Sequence, residues 1–195
     1  MGHKFQLTFP EEVARFVTSA YSEAHAIVEY GSGGSTVTAA ELGRTIVTVE
    51  SSERWLVDLM SSIRQLRLPG EVVPIWANIG ATGDWGLPLD KARSERWADY
   101  STLPWRYCRR QEITPDLVLI DGRFRVACFL VTALSVTRPT RVLLDDYTDR
   151  PHYHVVEEVR TPTMLVGRMA VFDLVPNPPP VDFLLRNFKA FSDPR

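Results

Sequence analysis

The sequence predicts a three-layer α/β sandwich on a mostly parallel seven-stranded sheet, closed by a C-terminal antiparallel hairpin. Three observations predict it. Short strand-like runs alternate with segments of helical periodicity between residues 26 and 144, the pattern of a parallel sheet covered on both faces. Those runs are apolar nearly throughout, as strands buried on two sides are. Finally, 164–166 and 169–175, joined by Gly167-Arg168, read as two strands around a tight turn.

The elements follow in order. Thr8-Phe9-Pro10-Glu11 has the Thr-x-x-Glu spacing of a capping box, and Val13, Phe16, Val17, Ala20 and Tyr21 then recur at helical spacing. Ala26-Ile27-Val28 is the first strand, and a helix is expected over 36–42, ending at Gly43. The β-branched run 45–49 is a buried strand ending at Glu50. Ser52 is placed to cap a helix whose Leu56, Leu59, Met60, Ile63 and Leu66 form one stripe, broken by Pro69-Gly70. Residues 72–76 form a third strand despite Pro74. The stretch 78–114 is irregular, with a short helix expected near 90–100. A strand over 115–120, a buried helix over 124–136, a strand over 141–144 and a helix over 153–159 precede the hairpin, and a Pro-rich, then polar tail follows it.

Composition narrows the function classes. The 195 residues suit one domain, taken as 1–195, and 45% hydrophobic with 24% charged residues is ordinary for a soluble globule. Twenty-two Lys and Arg against 24 Asp and Glu leave a net charge of −2, which gives no overall electrostatic reason to bind nucleic acid or a membrane surface. A small-molecule partner is expected, and a homo-oligomer is left open. Cys108 and Cys128 are too few for a disulfide framework or a four-cysteine zinc site and read as free thiols of a reducing, cytoplasmic compartment. The longest apolar run, 124–136, falls short of the ~20 residues that span a bilayer. The first twelve residues lack the apolar core of a signal peptide, and Gln6 breaks the myristoylation pattern that begins at Gly2.

The chemistry-bearing residues gather at predicted strand ends, where open α/β sheets bind ligands. Gly31, Gly33 and Gly34 permit a tight turn and close approach of backbone to a ligand, and the helix that follows offers free amides to an anionic group. Glu50, nineteen residues after Gly31, ends the second strand, where a carboxylate can accept hydrogen bonds from both hydroxyls of a ribose. The two features together describe a nucleoside site. Thr36 stands where a dinucleotide fingerprint has its third glycine, and the Lys-Ser/Thr ending of a P-loop is missing.

Val28-Glu29-Tyr30-Gly31-Ser32-Gly33-Gly34-Ser35 resembles motif I of the class I S-adenosylmethionine-dependent methyltransferases, a Rossmann-like superfamily. Glu29 matches the family's acid two residues before the first glycine, Glu50 its ribose-binding acid, and Ile120-Asp121-Gly122 its motif after strand four. The resemblance runs over nearly the whole chain in element order. It implies S-adenosylmethionine as cofactor, with Gly31, Ser32, Gly33, Ser35 and Thr36 at the methionyl part, Glu29 at its cationic end, Glu50 and Ser51 at the ribose, Asn78 and Ile79 at the adenine, and Asp121 bordering the cofactor. Asp121, Asp145 and Asp146 are similar to the metal-binding acids of catechol-type O-methyltransferases, except that Asp146 stands for an Asn. A divalent metal on Asp121, Asp145 and Asp146 is therefore a candidate, with helix-capping and solvated acids the preferred reading. Without a metal, Asp121 or Asp145 is placed to act as general base toward an acceptor hydroxyl.

Other features are weighed lower. Asn177-Pro178-Pro179-Pro180 lacks the aromatic fourth residue of a base-flipping motif and reads as a proline turn. His152 and His154 have the spacing of one strand face, and Arg106, Arg109 and Arg110 read as a solvated face. Trp85, in Gly83-Asp84-Trp85-Gly86, is equally a cover for adenine or acceptor and a core anchor. Two rival functions stand beside the methyltransferase: a nicotinamide- or nucleotide-sugar-dependent Rossmann enzyme, and a non-catalytic module that binds an adenosyl ligand.

Overall fold

The computed structural model describes residues 5–195; the Gly2 reading lies outside them. Seven strands form one sheet: β1 (Ala26–Tyr30), β2 (Thr45–Glu50), β3 (Glu71–Trp76), β4 (Leu117–Ile120), β5 (Thr140–Leu144), β6 (Met164–Val166) and β7 (Met169–Leu174). Their order is β3-β2-β1-β4-β5-β7-β6. The pairings from β3 through β5 are parallel, and β7 runs antiparallel to both β5 and β6. Pro74 sits in β3 at the sheet edge, the place where a missing backbone donor is tolerated.

Strand alternation assigns the two layers. Ile27 of β1 packs with Val13, Val17 and Tyr21 of α1 (Glu11–Glu23) and Ala39 of α2 (Gly34–Glu41). Its neighbours Val28 and Tyr30 pack on the other face, with Trp97, Tyr100 and Trp105 of α4 (Trp97–Arg110) and Ala127, Cys128 and Phe129 of α5 (Arg125–Ser135). A smaller cluster of Phe5, Val37, Leu59 and Ile63 seats α3 (Glu53–Leu66), which Ser52 caps by accepting from Trp55 N at 3.3 Å. Among the described residues, no helix is long and apolar enough to cross a membrane.

Four local expectations need correction. The capping box at Thr8 does not form; Pro10 takes the N-cap position of α1 without a side-chain bond, since proline's fixed φ suits a helix start by itself. The helix expected near 90–100 lies further on, as α4. Its buried Trp97, Tyr100, Ser101, Pro104, Trp105 and Cys108 have clear helical spacing, but Pro104 sits inside it and reads as a breaker. Core packing of that stripe outweighs the lost backbone bond. The segment Pro151–Glu158 is a 3-10 helix, so His152 and His154 do not share a strand face. The tail folds as α6 (Val181–Arg186) and a 3-10 turn, Phe188–Ser192, behind its prolines.

Candidate active site

The strand order reverses between β1 and β4, so the crevice of this sheet opens at their carboxyl ends. Gly31 leaves β1 with φ +92°, donating its N–H to Val49 O at 3.0 Å. A Cβ there would lie 2.8 Å from Gly122 Cα, and one on Gly122 would lie 2.1 Å from the Tyr100 hydroxyl. The two glycines therefore let the loops after β1 and β4 touch backbone to backbone, with Tyr100 lying on them.

The pairing of Tyr30 with Val49 sets Gly31 beside Glu50. Glu50 is 9% exposed, and its Oε1 accepts from Ser51 N (2.7 Å), Ser52 N (2.9 Å) and Ser51 Oγ (3.1 Å). Burial raises its carboxyl above the usual value, against these donors, which lower it. Burial, and then the charge of Glu50, push the Tyr100 phenol up. Glu50 is thus held over the same crevice as Tyr100. One oxygen does the helix-capping work; the capping and ribose readings are compatible.

Glu29 lies beneath the glycine loop. It is fully buried on the α1 face and accepts from Tyr21 Oη (3.2 Å), Thr36 Oγ1 (2.5 Å) and Thr48 Oγ1 (2.7 Å). Burial raises its carboxyl, while the hydroxyls of Ser35, Thr36, Thr48 and Tyr21 lower it. Thr36 Oγ1 also accepts from Gly33 N at 2.9 Å. Glu29 therefore braces the glycine loop from behind, through Thr36. A strand residue in alternation with Ile27 points at α1, so Glu29 meets the glycine loop from that side.

The loop itself is held from α3. Trp55 Nε1 donates to Ser32 O at 2.7 Å, and Ser32 Oγ is buried without a hydrogen-bond partner among the described residues. Asn78 and Ile79 follow β3: Asn78 Oδ1 accepts from Gly80 N at 3.3 Å, and Ile79 is buried with its carbonyl accepting from Trp97 Nε1 at 3.0 Å.

Asp121, Asp145 and Asp146 converge at the ends of β4 and β5, with one oxygen of each within 4.8 Å of the others. Three arginines already neutralise them. Arg168 grips Asp145 through Nη2 (2.6 Å) and Nε (3.1 Å) and touches Asp146 at 3.2 Å. Arg125 Nη2 lies 3.2 Å from Asp121 and 3.1 Å from Asp146, and Arg150 lies 3.0 Å from Asp146. A divalent cation would have to displace these guanidiniums, so the residues do not fit the metal site that the spacing suggested. The arginines escaped the sequence reading, although Arg125 stands four residues after Asp121, the spacing of a helical ion pair. Asp145 is fully buried, whereas the Asp121 side chain is 28% exposed. Burial raises Asp121 to about 7; Arg125 opposes this, while Asp145 and Asp146 reinforce it.

Of the weaker features, Arg106, Arg109 and Arg110 are exposed on α4. His154 Nε2 meets Tyr147 O at 3.1 Å. Trp85 is 84% exposed and is no core anchor.

A seven-stranded sheet of order 3-2-1-4-5-7-6 with one reversed strand thus carries a glycine loop after β1 and an acid at the end of β2, side by side where the strand order reverses. A methyltransferase-like protein from Silicibacter pomeroyi is 42% identical, over 97% of this chain and 98% of that one, with a TM-score of 0.91. The chain therefore belongs to the class I S-adenosylmethionine-dependent methyltransferases, enzymes whose methyl donor is S-adenosylmethionine. The O-methyltransferase of Bacillus cereus, solved with S-adenosylhomocysteine, shares the fold at 19% identity and TM-score 0.50, over 77% of this chain and 59% of that one. A methyltransferase from Geobacter sulfurreducens does so at 10% identity and TM-score 0.55, over 87% and 80%. Neither a family model nor a curated protein matches. Membership of this family sets aside the nicotinamide and nucleotide-sugar reading.

Proposed function

We propose that this chain moves the methyl group of S-adenosylmethionine to an oxygen of a small-molecule acceptor. The observation that carries the reading is the register that sets Gly31 beside Glu50 while Gly122 lies against Gly31. The amides after Gly31 and the orphan hydroxyl of Ser32 are suited to the methionyl end, with Ser35 and Thr36 keeping the loop in shape. Glu50, flanked by Ser51, would accept the ribose hydroxyls, and Asn78 and Ile79 would border the adenine. S-adenosylmethionine, when bound, supplies an activated methyl group.

The chain's own task is then to position an acceptor oxygen and take its proton. Asp121 suits that role. Its side chain is reachable, it lies next to Gly122 at the crevice, and its carboxyl sits near neutrality. Asp145 is a positioning residue: enclosed and held by Arg168, it presents its charge to Asp121 and keeps that carboxyl basic. The near-neutral charge balance favours a small acceptor over a nucleic acid.

Calorimetry with S-adenosylmethionine and S-adenosylhomocysteine tests the cofactor half. Glu50→Ala should cost ~2–4 kcal/mol of affinity through two lost charge-assisted bonds; unchanged affinity removes the placement of the sugar. For the base, kcat of the wild type should rise with pH through an inflection near 7. Asp121→Asn should abolish that inflection and lower kcat by about 10²–10⁴-fold.

A further inference from the structure

Arg123 follows Asp121 by two residues, on the loop from β4 into α5. Its backbone is fixed at both ends: Arg123 N donates to Tyr100 Oη at 3.3 Å, and Cys128 Sγ donates to Arg123 O at 3.4 Å. Its guanidinium is not fixed in this way. Nε is sealed from solvent without a hydrogen-bond partner, and among the described residues no carboxylate pairs with the side chain. The residue as a whole is only partly buried, so an outer edge stays open to a ligand.

Its neighbours make that isolation costly. Arg125, Arg150 and Arg168 each pair with one or two of Asp121, Asp145 and Asp146. Arg123 is a fourth guanidinium beside three carboxylates, which leaves one positive charge without a counter-ion. The surplus grows below about pH 7, where Asp121 takes up its proton. Burial, then the charge of Arg125, holds the Arg123 guanidinium below its usual value; the Tyr100 and Tyr153 phenols oppose this, and Arg150 adds to it. Arg150 Nη1 donates to Tyr153 Oη at 3.1 Å, and the guanidiniums of Arg125 and Arg150 each lie 5.8 Å from the centre of the Tyr153 ring. A cation partly withdrawn from water among other cations costs stability unless something supplies the opposite charge.

The place of Arg123 says what that is. Gly122 alone separates it from Asp121, and Tyr100, which accepts the Arg123 N–H, also lies on the contact between Gly31 and Gly122. The open cation therefore stands beside the carboxyl assigned to the acceptor's proton. We infer that Arg123 holds an anionic oxygen group of the acceptor, a carboxylate or a phosphate, while Asp121 takes the proton of the acceptor's hydroxyl. The inference rests on the proposed methyl transfer to oxygen and names its substrate class: small hydroxy compounds with an acid group a few bonds from the hydroxyl. A guanidinium suits either anion, through paired N–H donors in one plane. In the reaction the hydroxyl proton passes to Asp121, the oxygen bonds the methyl carbon, and the electron pair of the carbon–sulfur bond stays on sulfur. The acid group is unchanged and serves recognition, so Arg123 is a specificity residue.

The experiment uses wild type, Arg123→Gln and Arg123→Lys, each saturated with S-adenosylhomocysteine. Melting is followed with acetate or inorganic phosphate, made up to constant ionic strength with sodium chloride. One or both anions should raise Tm of the wild type by mass action, and the stronger of the two tells carboxylate from phosphate. Arg123→Gln should lose the shift and Arg123→Lys keep part of it. Without added anion, Arg123→Gln should melt at or above wild type, since it removes an uncompensated charge; an arginine with only a structural role would lower Tm when replaced. Methyl transfer to 4-hydroxybenzoate is then compared with transfer to 4-hydroxybenzamide. The acid should be preferred in kcat/KM by about tenfold or more, chiefly through KM, and Arg123→Gln should erase the preference. Anion shifts that survive in Arg123→Gln, no shift from either anion in wild type, or equal turnover of acid and amide overturn the inference. Arg123-dependent anion shifts without methyl transfer to either hydroxyl support the anion subsite and refute the oxygen acceptor. Wild type that does not bind S-adenosylhomocysteine refutes the cofactor assignment, an outcome separate from both.

Discussion

Replacing Glu29 by Gln separates bracing from charge. In the wild type, three hydroxyls donate to a carboxylate that is fully buried. Hydrogen bonds to a charged acceptor are worth about 1 kcal/mol more each than neutral ones, so losing the charge forfeits about 3 kcal/mol. Against this stands the cost of burying the ion, and that cost is the larger, because the carboxyl is raised rather than lowered. Gln can keep every contact: its carbonyl accepts from Thr36 and Thr48, and the Tyr21 hydroxyl turns to accept from the amide. The sign follows from linkage. A carboxyl raised by folding holds its proton in the native state while the unfolded chain ionises at about 4.3. Wild-type stability from this group is therefore full below that value and lost as pH climbs through the raised one. Gln does not titrate, so the stability of Glu29→Gln relative to wild type should improve as pH rises above about 4.3, as read by urea melts. Glu29→Ala, which strands three donors at ~1–2 kcal/mol each, should lose ~3–6 kcal/mol, or on the order of 10–20 °C in Tm for a chain of this length. Because Glu29 faces α1, Glu29→Gln should change the affinities for S-adenosylmethionine and S-adenosylhomocysteine alike, by less than about threefold. A loss tenfold greater for the sulfonium form would refute the bracing role and restore a direct pull on the cation.

Three further outcomes follow from the geometry. Arg168→Gln leaves Asp145 buried without its bidentate partner and should cost ~3–5 kcal/mol in a denaturant melt; a change below 1 kcal/mol would mean that Arg125 and solvent compensate. Gly122→Ala should abolish S-adenosylhomocysteine binding and lower Tm, since its Cβ would meet both the Tyr100 hydroxyl and the Gly31 backbone; native binding by calorimetry would refute the close approach. Methyl transfer should keep its rate within about twofold in excess EDTA or with added Mg²⁺, because guanidiniums already pair the three aspartates; strong activation by Mg²⁺ would show that an ion displaces them.

What the sequence made legible was whatever depends on local pattern. The β-branched run ending at Glu50 and the apolar run ending at Asp121 placed strand ends correctly, because buried parallel strands write their identity in consecutive residues. Gly31 was legible for the same reason: a turn that needs positive φ leaves a glycine. The direction of Glu29 was not, since it depends on which face of the sheet α1 covers. Nor was α4, where a stripe from Trp97 to Cys108 outweighs Pro104 only once the sheet is there to receive it. Trp85 was open between a cover and a core anchor, and only its exposure decides against the anchor. Nothing local to Gly83-Asp84-Trp85-Gly86 announces the positive φ that holds its indole out in solvent.

The arginines give the three carboxylates a partner set other than a metal ion. Arg125 ties three carbonyls together, accepted by Gly122 O at 3.0 Å, Asp145 O at 2.6 Å and Asp121 O at 2.9 Å. One side chain thus fixes the ends of β4 and β5 and the start of α5 while neutralising acids at the same point. A divalent ion held by the same carboxylates would supply charge, but could not donate hydrogen bonds to those carbonyls. It would also hold Asp121 ionised as a ligand. With guanidiniums instead, Asp121 stays reachable and its carboxyl is raised to about 7. In the proposed reaction, charge is supplied by a fixed framework and the proton-accepting role falls to Asp121. This division of labour is what the pH profile of Asp121→Asn and the indifference to EDTA test together.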